Sequence, residues 1–208
     1  NGTGPLSWIV GMNYFDQEVN YDFDLRIGAI GGGNVPASTG WGTYWLDTYG
    51  VFASVDYELS DAWTISVGGR YTKEEKDIYW RPSSTEYAQN PRITLAAALL
   101  PNEDGEEWSS FDPKVTLTYS FANGGIAYAT YSTGFKSGGY NAPTRRGGEA
   151  LDPEELDMVE FGYKADLTNN LRLTSSVFFY DYTGLQVTRA AKGTGTLIFI
   201  GSCTRTTI

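Results

Sequence analysis

From Phe111 to Val187 the chain alternates in polarity residue by residue, in long segments that turn tightly at one end and through a glycine-rich loop at the other. The order is FDPKVTLTYSF, the turn ANGG, IAYATYSTGFKSGGYN, a loop, PEELDMVEFGYKADL, the turn TNN, and LRLTSSVFFYDYTGLQV. Side chains on a strand point alternately to its two faces, so a period of two marks strands with two different environments. A strand that crosses a membrane needs about 9–11 residues and sets lipid-facing against lumen-facing side chains in that same rhythm.

The overall hydropathy fits such a wall. Aromatic residues make up 15% of the chain, yet its mean hydropathy is only -0.31, as expected when every second residue is polar. The longest uninterrupted apolar run is LAAALL, 95–100, far short of the roughly 18 residues that suggest a membrane helix.

Seven segments carry the alternation. The first covers 6–25, with Trp8, Val10, Met12 and Tyr14 on one face and Ile9, Gly11, Asn13 and Phe15 on the other. A loop is expected over 26–42. The second segment covers 44–59, with Val51, Ala53, Val55 and Tyr57 on its apolar face. The third covers 63–80, with Trp63, Ile65, Val67, Gly69 and Tyr71 on one face. A polar loop follows over 81–102, whose ITLAAALL piece has the makings of a helical turn. The fourth covers 106–121, with Val115, Leu117, Tyr119 and Phe121 outward. The fifth covers 126–136, with Ala127, Ala129, Tyr131 and Phe135 toward lipid and Lys136 in the lumen. The sixth covers 154–167, with Val159, Phe161, Tyr163 and Leu167 outward. The seventh begins at Leu171, with Leu173, Val177 and Phe179 also outward. An eighth strand near 195–200 lacks alternation.

Ser60-Asp61, Asn123-Gly124 and Asn169-Asn170 read as short turns between these segments; Asn-Gly tolerates the positive φ that two-residue hairpins demand. Short turns at one end and long loops at the other are the asymmetry of outer-membrane barrels, short on the periplasmic side and long outside. Aromatic residues near strand ends, Tyr57, Trp63, Tyr119, Phe121 and Tyr128, suit the membrane interface. The expected fold class is all-β: an antiparallel transmembrane β-barrel segment of about 7–8 long strands. A soluble β-sandwich also alternates, but its strands average only about 5–6 residues. A self-contained barrel of about eight strands is a further reading, and it needs the last strand to pair with the first.

Composition excludes several functions. With no histidine and a single cysteine, Cys203, the chain holds neither a His/Cys zinc site, nor an intrachain disulfide, nor a hydrolase using a histidine base. No catalytic residues, cofactor or metal are expected. Asp22, Asp24, Glu103, Asp104 and Asp112 lack calcium-loop spacing, and the loop GAIGGGNVPASTG lacks a phosphate-loop pattern. The net charge of -10, with Arg145-Arg146 as the one adjacent basic pair, speaks against nucleic acid as a partner.

The pieces PLSWIVGMNYFDQE, DTYGVFASVDYELSDAWTISVGGRYTKEEKD, YATYSTGFKSGGYN and PEELDMVEFGYKADLTNNLRLTSSVFFYDYTGLQV, in that order, resemble the middle-to-late barrel of TonB-dependent outer-membrane receptors. The resemblance implies part of a barrel of about 22 strands around an N-terminal plug. It also implies import of a scarce nutrient, most often a ferric siderophore, driven by the TonB protein. Its partners would be outer-membrane lipid and a ferric chelate or other nutrient, with TonB and the plug in the full-length parent only. Residues 1–187 read as the partial barrel. The tail 188–208, RAAKGTGTLIFIGSCTRTTI with one residue before it, departs from the family's next strand and fits a truncation or a shifted frame. No plug, TonB box or export signal is read in the sequence.

Ligand contacts are expected from loops and the upper lumen. Tyr140, Arg145 and Arg146 follow the fifth segment, and two guanidinium groups can grip carboxylates or catecholates. Arg70, Glu160, Lys164 and Arg172 are expected to form charge ladders on the lumenal wall, where opposite-charge cross-strand pairs contribute about 0.2–1 kcal/mol each.

Overall fold

In the computed structural model, the structure describes residues 4–28, 34–82, 102–140, 150–190, 197–203 and 206–207. Seven strands follow the alternating segments: β1 (Leu6–Gly28), β2 (Asn34–Glu58), β3 (Trp63–Pro82), β4 (Asn102–Ser120), β5 (Ile126–Lys136), β6 (Glu154–Thr168) and β7 (Leu171–Thr183). Three short strands follow: β8 (Leu185–Ala190), β9 (Leu197–Cys203) and β10 (Thr206–Thr207). β1 to β7 form one antiparallel sheet in chain order. β10 adds two residues to the outer side of β7, and β8 pairs with β9 in a separate two-stranded sheet.

Cross-strand partners share a face, so the register sorts the side chains. Trp8, Val55, Val67, Val115, Tyr131, Val159 and Phe179 form one continuous row across all seven strands. On this face the stretches 6–14, 49–57, 63–71, 111–119, 159–167 and 171–179 are apolar apart from Ser175. Each is about nine residues long, the length a tilted transmembrane strand needs. Among the described residues nothing covers the band: Met12 is 85% exposed, Trp8 69% and Phe111 65%. A sandwich would bury this face under a second sheet, and none packs there among the described residues. The closed eight-strand barrel is likewise absent. Of the described strands, β1 pairs only with β2, and the last strand joins β7 rather than β1.

The turns form for local reasons. Ser60 Oγ accepts the Ala62 and Trp63 amides at 3.3 and 3.2 Å. Gly124 takes φ 82, and the Asn123 side chain accepts the Gly125 amide at 3.2 Å. Beside these turns Trp63, Tyr119, Phe121 and Tyr163 make a chain of ring contacts on the apolar face, with centroids 4.8 to 5.9 Å apart. This is an aromatic girdle. Tyr128 does not belong to it. Its register partner is Thr118, so its ring lies on the polar face.

At the other end the strands outrun the expectation. Residues 26–42 were expected as a loop, but β1 and β2 continue their pairing to Gly28 and Asn34, with one register shift between Leu25 and Arg26 that skips Ala37. Backbone pairing, once in register, carries through glycines that a propensity reading treats as loop. β4 likewise begins at Asn102. β5, by contrast, pairs with β4 only up to Lys114–Ser132. The next residue on β4 is Pro113, which has no N–H to donate. The eighth strand near 195–200 is β9, and it joins β8 rather than the main sheet because Gly184, at φ 72, turns the chain out of β7. The ITLAAALL piece lies outside the described residues.

A tethered aromatic shelf on the polar face

The polar face between the rims is kept low by large side chains laid over glycines. Phe52 covers Gly11, and the Arg70 guanidinium covers Gly50. Tyr128 covers Gly162, leaving no room there for a Cβ. The four residues expected to form charge ladders are all on this face, but they do not pair with one another. Arg70 opposes Asp112 in register yet turns away, donating to Thr72 Oγ1 at 2.9 Å and Asn13 Oδ1 at 2.8 Å. Glu160 accepts the Tyr128 hydroxyl at 2.7 Å, and Lys164 sits 5.5 Å from the centroid of the same ring. Tyr128, absent from the sequence candidates, is thus the hub between them. Arg172 makes a two-pronged pair with Asp166 at 2.7 and 3.1 Å, next to the Asn169-Asn170 turn and far from the loops. A recess of about 680 Å³ opens beside Arg70, with Ser54, Ser66, Gly68 and Thr116 in its lining.

The upper part of the polar face is more elaborate. There β3 and β4 extend past the end of β5, and the chain leaving β5 folds against them. Lys76 donates to Ser137 Oγ and, at 2.6 Å, to the Gly138 carbonyl; it also pairs with Glu74 at 3.3 Å, and Ser137 donates to Glu74. The Lys76 side chain is only 11% exposed, so this is a largely desolvated knot in which each polar group has a partner. Lys76 also lies 5.5 Å from the Trp108 ring centroid, a cation–π contact. Gly138 presses on the Trp108 ring so closely that a Cβ would clash. A second set of bonds holds the base of the loop. Glu154 pairs with Lys136 at 2.8 Å and accepts the Gln186 amide at 2.9 Å, while the Gln186 side chain donates to the carbonyls of Ser137 and Asp152.

These tethers place Tyr140 edge-on to Trp108, with centroids 6.4 Å apart. Its hydroxyl is buried and has no hydrogen bond among the described residues. Burial first, then the carboxylates of Asp104, Glu106 and Asp77, push the hydroxyl above the ordinary tyrosine range. Higher up, Tyr21 stacks on Trp80 at 5.6 Å, close over Gly42. Trp80 is buried in that stack, so its ring serves the wall itself. Tyr140 is therefore placed on a built surface; Arg145 and Arg146 lie outside the described residues. The anchors Lys76, Glu74, Ser137 and Gln186 carry no motif, because they lie far apart in the chain and only strand register unites them. Among the described residues no acidic or cysteine cluster can hold a metal ion.

The fold and surface have known counterparts. A family model described as TonB dependent receptor-like, beta-barrel matches residues 1–204. A protein named Probable TonB-dependent siderophore receptor PiuA, from Acinetobacter baumannii, is 24% identical over 141 residues, covering 64% of this chain and 17% of that protein. The ferric yersiniabactin uptake receptor FyuA from Yersinia pestis superposes with a TM-score of 0.71 at 14% identity, over 90% of this chain and 27% of its own. The ferric-catecholate import receptor Fiu from E. coli K12, in its closed form, gives 0.61 at 15% identity, over 97% and 32%. At these identities the two structures speak for the fold. The chain spans under a third of each relative's length.

Proposed function

The chain belongs to the TonB-dependent receptor-like β-barrel family, a family of transport receptors, and from that membership we propose that it forms part of the wall of an outer-membrane importer of ferric siderophores. The observation that carries this reading is the division of one sheet into two working surfaces. The uncovered apolar band suits the acyl chains of a bilayer, and the polar face suits the water-filled side of a large barrel. Above the band, the same strands continue as a platform for the tethered aromatic shelf, where an incoming ligand meets the protein. The described part of the shelf offers rings and hydrogen-bonding groups, which suits capture of a ligand.

Support for a siderophore as cargo comes from the relatives. PiuA is named a siderophore receptor, FyuA is described as taking up ferric yersiniabactin, and Fiu as importing a ferric catecholate. Tyr140 is the ligand contact we favour, and the Arg70, Tyr128, Glu160 and Lys164 wall below it faces whatever fills the lumen. The test uses the full-length receptor that carries this segment, expressed in a Gram-negative host lacking its own siderophore receptors. Radioiron uptake from a panel of ferric chelates should be restored and should disappear when TonB is deleted. Uptake from none of them, or uptake indifferent to TonB, would overturn the assignment.

A further inference from the structure

The lipid-facing side of the sheet carries a second tier of rings above its apolar band. The band ends at Tyr14 and Tyr49, and Asp47 is the first carboxylate above it. Higher on the same side stand Trp45, Tyr79 and Trp41. The Trp41 and Tyr79 rings meet with centroids 5.3 Å apart, and Trp41 is 47% exposed. Trp45 donates through Nε1 to Glu18 at 3.3 Å. Asn20 donates to the same carboxylate at 2.8 Å and accepts the Thr43 hydroxyl at 2.7 Å, so a network across β1 and β2 fixes the indole. Beside Trp45 and Tyr79 lies an open recess of about 530 Å³, with Asp77 and Glu103 in its lining. Gly105 keeps it clear, because a Cβ there would strike the Asp77 carboxylate.

The height of these rings says what they meet. A strand advances about 3.4 Å per residue, so at a tilt of about 45° each residue climbs about 2.4 Å. Tyr79 is level with Thr43, four residues above Asp47, and Trp41 is six above it. Their rows therefore stand about 10 and 14 Å above the first carboxylate. A phospholipid headgroup layer is only about 5–8 Å deep on each side of the hydrocarbon. Interfacial rings belong at headgroup level, and Trp41 and Tyr79 stand beyond it. A pyranose fits such a surface: its C–H face lies on an aromatic ring, and its rim of hydroxyls donates to carboxylates. The surface also continues the band, so a lipid with its tails on Met12, Val51 and Tyr71 has its head beside Trp45 and Tyr79.

We propose that Trp41, Trp45 and Tyr79, with Asp77 and Glu103, dock the saccharide head of a glycolipid in the outer leaflet. Sugar rings stack on the aromatic faces, and sugar hydroxyls donate to the two carboxylates. The proposal rests on the receptor reading given above, which sets the upper strand ends outside the cell, and adds a lipid partner to it.

The test offers the purified full-length receptor equal amounts of a trihexosyl ceramide and sphingomyelin in mixed micelles. The two lipids share the ceramide tail and differ in the head. Native mass spectrometry reads which lipid is retained. The glycolipid should be retained about tenfold over sphingomyelin, as expected for stacking on two rings. Trp41→Ala with Tyr79→Ala should abolish the preference, whereas Trp8→Ala, within the band, should leave it, with folding checked by heat-modifiable gel mobility. Asp77→Ala with Glu103→Ala, both exposed and outside the ring stack, should lower the preference about threefold. Equal retention of the two lipids, or a preference unmoved by both double substitutions, overturns the inference. Displacement of the glycolipid by an equal concentration of the free trisaccharide overturns the lipid partner in favour of a soluble sugar. A dimer that Trp41→Ala dissolves overturns it in favour of a second copy. All these outcomes leave the receptor reading standing, because that reading is decided separately by TonB-dependent iron uptake.

Discussion

The Tyr14 hydroxyl donates to Asp47 Oδ1 at 2.6 Å, reaching from the last lipid-facing position of β1 to the first carboxylate above the band on β2. Tyr131 repeats the geometry on Asp157 at 2.7 Å, three strands away from β2. In both pairs the ring lies with the apolar residues and the hydroxyl points to a charge one row higher. The two pairs mark one upper boundary of the apolar face, as expected for rings at a membrane–water interface.

That boundary predicts accessibility. Single cysteines placed at Asp47 and at Val51, in a full-length receptor with Cys203 replaced, should label differently with a membrane-impermeant thiol reagent. Position 47 should react quickly in liposomes, and position 51, two rows lower beside Met12, should be protected. Equal reaction at both would remove the boundary.

Depth also sets a cost. Val67 is central in its apolar stretch, whereas Ser66 beside it faces the polar side. Val67→Arg should destabilise the receptor by about 2–4 kcal/mol in urea-driven unfolding from lipid vesicles, the range for a cation at the bilayer midplane. Ser66→Arg on the lumenal wall should be close to neutral. A reversed ranking would mean the faces are assigned the wrong way round.

Gly162 is required for a steric reason. Any Cβ there would enter the Tyr128 ring, which is held down by its bond to Glu160. Gly162→Ala should therefore cost about 1–3 kcal/mol, the usual range for overpacking. Tyr128→Ser in the same chain should recover most of the loss. Additive losses in the double variant would show that the ring does not lie over the glycine.

The period-two pattern made the seven crossing strands legible, because one slip would turn every apolar side chain toward water. The turns were legible through Ser60, Asn123-Gly124 and Asn169. The upper strand extensions were not: glycines such as Gly40 and Gly42 pair across strands, and pairing is a property of two segments rather than one. Of the residues that build the aromatic shelf, the sequence singled out Tyr140. Arg70 and Lys164 were recognised as polar-face residues, but their partners, Asn13 and Tyr128, follow from register and from the glycines that let large side chains lie flat. Lys76 looked like one charge in the run KEEK; its exceptional burial depends on Ser137, 61 residues later.

The Lys76 knot yields the last prediction. Removing the ammonium group takes the ion-pair partner from Glu74 and the Lys76 donor from the Gly138 carbonyl in a place largely shielded from water, while the Trp108 ring loses its cation. Hydrogen bonds to charged groups are worth about 1.5–3 kcal/mol, and the loss should fall on the junction after β5, because the strands themselves are held by backbone pairing. Lys76→Ala should thus raise amide hydrogen exchange at Ser137–Tyr140 and lower ligand affinity, with the barrel's heat-modifiable mobility unchanged. Lys76→Met with Glu74→Gln, which removes both charges and keeps the bulk, should restore part of the protection. Exchange at Ser137–Tyr140 that ignores Lys76→Ala would show that the loop is held by the Glu154–Gln186 bonds alone, and Tyr140 would then owe its position to β8 rather than to β3.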